Sequence, residues 1–78
     1  MAKKINTLEK FYNHLCDGTS STWTGVVLEN DRHLFQDFCP NLSYVDIIQD
    51  VIKDVKGAEF IGIKDDIALV LFDEKEAK

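Results

Sequence analysis

The sequence predicts a two-layer α+β domain: a four-stranded, mostly antiparallel sheet carrying two helices, in the order α-β-β-α-β-β. Three observations predict it. Two stretches, near residues 6–17 and 42–57, have the apolar periodicity of amphipathic helices. Each is followed by a pair of apolar or β-branched runs joined by a short acidic turn. The length of 78 residues allows one domain, 1–78, with a core small enough that self-association or a partner would add useful stability. A faint echo between Thr24-Gly25-Val26 and Ile61-Gly62-Ile63 suggests two helix-plus-hairpin halves.

The first helix is expected to start at Asn6 as N-cap, with Glu9 as its capping-box partner. Leu8, Phe11, Tyr12 and Leu15 form its apolar stripe, and Asp17-Gly18 stops it. A polar loop, 19–21, leads to a β-branched run, 22–28, in which Gly25 marks a bulge or a close approach. After the turn 29–31, the segment 32–39 fits a short helix or a second strand. A hairpin is the more economical connection, which favours the strand.

The stretch 42–57 is the strongest element. Ser43 is expected to cap it, with Asp46 at N3 and Leu42 and Ile47 forming a hydrophobic staple. Tyr44, Val45, Ile47, Ile48, Val51, Ile52 and Val55 share an arc of roughly 160°, and Gly57 is expected to end the helix. Beyond it, 59–64 and 67–72 flank Asp65-Asp66 as a β-hairpin. Residues 1–5 and 74–78 are expected to fray.

The net charge is −5, and it is uneven. Residues 1–16 hold Lys3, Lys4 and Lys10 against Glu9, while the remainder carries thirteen acids against six bases. That balance argues against direct binding to nucleic acid, whose affinity comes from cations displacing counterions. No apolar run is long enough to cross a membrane, and the start of the chain lacks a signal-peptide pattern, so a cytoplasmic address is expected. Cys16 and Cys39 then read as free thiols.

Chemistry-bearing sets are sparse. His14, Cys16, His33 and Cys39 lack the spacing of a zinc site, and His14 and Cys16 point about 200° apart on a helix. Cys39 with His33 is the only nucleophile–base pairing to consider, and the glycines are too scattered for a phosphate cradle or an oxyanion loop. The acidic turns lack the oxygen ladder of a calcium loop. Neither an enzyme, a metal site nor a cofactor is expected.

Two features remain. Asp46, Asp50 and Asp54 would run at i, i+4, i+8 along the main helix, with Asp65 and Asp66 extending the field. Such a surface would suit a cationic groove on a larger protein or complex, either a basic protein surface or a site that normally holds nucleic acid. The run 67–72 is apolar on both alternations, and Phe60 and Ile61 repeat the doubling. Cover on both faces could come from a helix on each side, from a central position in the sheet, or from a like subunit or target protein. The expected function is a small acidic, non-catalytic regulator or inhibitor of a basic partner, of the kind used by viruses and mobile elements. The alternative is a homodimeric scaffold using the apolar hairpin through Phe60, Leu69 and Leu71.

Overall fold

A computed structural model describes residues 5–77. The order is α1 (Leu8–Thr19), β1 (Thr24–Val27), β2 (Arg32–Phe38), α2 (Leu42–Ile52), β3 (Ala58–Lys64), β4 (Ile67–Asp73) and α3 (Glu74–Ala77). The strands form one antiparallel sheet in the order β1-β2-β4-β3. In each hairpin the first strand is an edge and the second lies at the centre, so the two αββ units meet along β2 and β4. The segment 32–39 is thus a strand, as favoured.

Each turn uses left-handed residues. Asp65 (φ 52°) and Asp66 (φ 63°) connect the paired Lys64 and Ile67, a two-residue turn with positive φ at both positions as the right-handed twist of the strands prefers. Between β1 and β2, where Val27 pairs with His33, Asn30 (φ 61°) and Asp31 (φ 62°) take the same region inside a turn that the Arg32 N–H closes on the Glu29 carbonyl. Asn and Asp tolerate this region because their short polar side chains can bond locally. The sheet's irregularity is in β3, where the register slips between Phe60 and Gly62. Gly25 is the close approach instead, since a Cβ there would lie 3.1 Å from the Phe35 ring.

Several helix boundaries differ from expectation. The α1 cap is Thr7, whose hydroxyl accepts from the Lys10 N–H at 3.3 Å, and Asn6 instead meets the Lys10 ammonium. Glu9 is therefore at N2, and the first N–H of α1, on Leu8, donates to the carboxylate of Glu74 at 2.7 Å. The tail does not fray through 74–77: it forms α3, with Ala77 buried, and Ile5 packs on the core. Residues 1–4 and 78 lie outside the described residues. Gly18 is helical rather than a stop, and its lack of a side chain serves packing, since Val51 of α2 sits 2.7 Å from where its Cβ would be. The helix runs on to Thr19 and ends at Ser20 in the left-handed region.

The cap of α2 is Asn41, accepting from the Tyr44 N–H at 3.2 Å, two residues before Ser43. Asp46 is thus past N3, and there is no staple, since Leu42 is 78% exposed and Ile47 46%. The helix stops at Ile52, not Gly57. Two tight turns follow, Val55 N–H to Ile52 O and Ala58 N–H to Val55 O. They bury Val55 and keep the Asp54 carboxylate from extending the helix at its negative end.

The core lies between the helices and one face of the sheet. Phe11 stacks on Phe72 with ring centroids 4.3 Å apart and an interplanar angle of 8°, and leans on Phe35 at 5.3 Å. Leu15, Ile48, Val70 and Ala68 complete the fully buried set. Trp23 belongs to this core; its indole N–H donates to the Thr19 hydroxyl, which donates to the Leu15 carbonyl, so no polar group there lacks a partner.

Candidate interaction surfaces

Strand alternation sorts the sheet into two unlike faces. Phe35 on β2 pairs with Val70 on β4, and Val70 with Phe60 on β3; these residues face the helices. The opposite set is Val26 of β1, Leu34, Gln36 and Phe38 of β2, and Ile67, Leu69 and Leu71 of β4, with Ile61 at the register slip of β3. No helix lies over this second face among the described residues. Phe38 is 60% exposed, Ile61 48% and Val26 40%, while Leu34, Ile67, Leu69 and Leu71 are half-buried only by their neighbours. The doubled apolar pattern of 67–72 thus has two causes: β4 is central, and one of its faces is bare.

This arrangement corrects the apolar set expected from the sequence. Leu69 and Leu71 share the bare face, but Phe60 pairs with Val70 and packs against the core under the helices. A helix on each face, one of the ways to cover the hairpin, is not what the described residues adopt.

One corner of the bare face is polar. Arg32, Glu59, Leu71, Asp73 and Glu76 are among the residues lining a concavity of about 310 Å³. The Arg32 Nε is buried without a hydrogen-bond partner, and among the described residues Arg32 makes no ion pair. Asp73, its neighbour across β4, accepts from the Lys75 N–H at 3.0 Å through one oxygen, leaving the other free of protein partners among the described residues.

On the helical side the acidic residues fall into separate groups. Asp46 and Asp50 are exposed on α2, and Asp50 pairs with Lys53 at 2.9 Å with both side chains mostly in solvent. The carboxylate holds the Lys53 ammonium pKa up. Asp54 lies beyond the helix end, so the three-carboxylate row stops at two. Asp65 and Asp66 sit at the other end of α2, where the Asp66 carbonyl accepts from the Cys39 N–H at 2.7 Å just before the helix begins.

Asp37 has a different role. Its carboxylate accepts from the Tyr44 hydroxyl at 2.5 Å, the Ser21 hydroxyl at 2.6 Å and the Phe38 N–H at 2.9 Å, joining the β1 approach to α2. Burial, and then the bond to Asp37, raise the Tyr44 pKa above its ordinary 10.0. Sequence reasoning passed over this junction because its members are 16 and 7 positions apart.

The His and Cys residues do not assemble. His14 is half-buried rather than solvated, with Nε2 2.8 Å from the Val51 carbonyl, and Cys16 lies beside Tyr12, whose pKa its thiol raises. Cys39 is buried with its thiol on the Asn41 carbonyl at 3.3 Å. Among the described residues no three His, Cys, Asp or Glu side chains gather as a metal site, and no helix is long and apolar enough to cross a membrane. His33 lines an apolar groove of about 340 Å³ between α1 and β1, with Leu8, Tyr12, Val27 and Phe35. No family model, curated protein or solved structure matches this chain, so its function is read from the surfaces described above.

Proposed function

We propose that this chain is a small, non-catalytic protein-binding module whose working surface is the bare face of its sheet. The observation that carries the reading is the distribution of apolar residues: Val26, Leu34, Phe38, Ile61, Ile67, Leu69 and Leu71 share a face that no part of the described chain covers. Contiguous apolar surface on this scale marks interaction sites in water-exposed proteins. Affinity capture with wild-type protein and Leu69→Lys tests it: loss of the captured protein in the variant is expected, and unchanged capture would remove the face from the reading.

A second reading is supported by the exposure of Asp46 and Asp50 on α2 with Lys53 as the one paired cation among the described residues. Here the module regulates or inhibits a basic, nucleic-acid-handling partner through its helical side, with Asp65 and Asp66 contributing and Asp54 contributing less. An Asp46→Lys, Asp50→Lys variant would then lose the partner while Leu69→Lys keeps it. The opposite result assigns binding to the sheet.

A further inference from the structure

We infer that the occupant of the bare face is a second copy of this chain, packed sheet to sheet about a two-fold axis that runs parallel to the strands between β2 and β4. The inference rests on the reading that this face binds protein, and it adds the occupant and the geometry.

Size is the first argument. The molecule is a slab of 32 × 32 × 17 Å. Four strands about 4.8 Å apart and up to seven residues long present a face of roughly 450 Å² in projection, at the low end of the sizes of specific interfaces. Two such faces packed about 10 Å apart would make a β-sandwich core between them.

Charge fixes the axis. A two-fold along the strands lays β2 of one copy on β4 of the other without changing level along the strand. The β2–β4 register sets the levels: Arg32 with Asp73, Leu34 with Leu71, Gln36 with Leu69 and Phe38 with Ile67. Across the interface Arg32 of each copy therefore comes over Asp73 of the other, with Glu59 beside it. The Arg32 guanidinium, which makes no ion pair among the described residues, gains a carboxylate through its terminal nitrogens, and the second oxygen of Asp73 gains a donor. Symmetry makes the contact twice, one at each side of the axis. A two-fold across the strands would instead put Arg32 over Phe38 and leave the guanidinium without a carboxylate, a costly burial. The middle levels, Leu34 with Leu71 and Gln36 with Leu69, carry no charge, and the Gln36 amide is the one polar side chain among them.

Both helical layers then face outward, so Asp46 and Asp50 are displayed on opposite sides of an α-β-β-α particle. Whatever binds the helical side meets it twice.

The test is molar mass by light scattering and sedimentation across a concentration series from about 1 μM to 1 mM, a range that brackets ordinary dimer affinities. Wild type is expected at twice the 8.9 kDa chain mass at the upper end. Leu69→Lys, and Phe38→Lys at a position already mostly in solvent, are expected to remain monomeric with an unchanged circular-dichroism spectrum. Arg32→Asp should weaken association at least tenfold, and Arg32→Asp combined with Asp73→Arg should recover most of it. A wild type that is monomeric throughout overturns the second copy. If that monomer still captures another protein through Leu69, the protein-binding reading survives and only the occupant is wrong. A dimer untouched by Leu69→Lys and Phe38→Lys overturns the face, and one whose charge swap recovers nothing overturns the axis.

Discussion

The two faces of the sheet are built from the same strands, yet they meet different surroundings. On the helical face Phe35, Ala68, Val70 and Phe72 are buried, and aromatic rings from α1 stack on them. On the other face their sequence neighbours Leu34, Leu69 and Leu71 are equally apolar but only partly shielded. Alternation alone would make one face polar if water were its intended neighbour. The difference teaches that an apolar residue type does not by itself imply cover within the chain, and the proposed second copy is what would supply it here.

Adjacent residues of β4 give the sharpest way to break this comparison. Phe72→Ala should cost about 3 to 5 kcal/mol, by lost transfer energy and the cavity under Phe11, which is enough to unfold much of so small a domain in a denaturant or thermal melt. Leu71→Ala, measured at a concentration low enough for monomer, should cost less than about 1.5 kcal/mol because the site can relax into solvent. Equal losses would mean that the second face is covered within one chain.

Gly57→Ala should come next. At φ 90° the position suits glycine, and a Cβ would lie 2.6 Å from the Asp73 carbonyl oxygen. The penalty should be about 1 to 3 kcal/mol in a chemical melt, with the joint between α2, β4 and α3 the part disturbed. A neutral result would show that this joint is not rigid.

Tyr44→Phe should cost about 1 to 2 kcal/mol near neutral pH through the lost bond to Asp37. It also predicts a pH effect. With its pKa raised in the fold, Tyr44 keeps its proton in the folded chain after the unfolded chain has begun to lose it. Stability is therefore unaffected well below pH 10 and falls as pH rises through 10 toward the folded value. The phenylalanine variant should show a shallower alkaline loss, and equal slopes would exclude Tyr44 as its source. The smallest effect is at the cap of α2, where Asn41→Ala should cost about 1 kcal/mol and Ser43→Ala almost nothing; the reverse order would shift the helix start to Ser43.

The architecture was legible in the sequence because each hairpin is bounded by its own turn chemistry and each helix has a continuous apolar stripe. The helix ends were less so. Asn41 and Ser43 are both good caps, and only the chain direction after Pro40 selects between them. Gly57 looks like a helix terminator, but the break at Ile52 is set by Val55 turning into the core. For the candidate surfaces, doubled hydrophobicity singled out Leu69 and Leu71, which the fold places on the bare face. It misplaced Phe60 because the β3 register slip and the pairing with Val70 depend on a partner strand. Asp54 was lost from the acidic row for the same kind of reason: its position depends on where the helix stops.

The register slip in β3 also bears on how large an assembly can grow. Indefinite lateral growth needs the outer edge of β1 in one molecule to pair with the outer edge of β3 in the next, as in a filament. The extra residue at Phe60–Gly62 interrupts that ladder, and the charged Glu59 and Lys64 flank it. A sheet guarded at one edge cannot propagate head to tail, whereas pairing through a two-fold face is complete after two molecules. A protein that leaves so much apolar surface uncovered can on these terms remain a finite particle rather than seeding fibres.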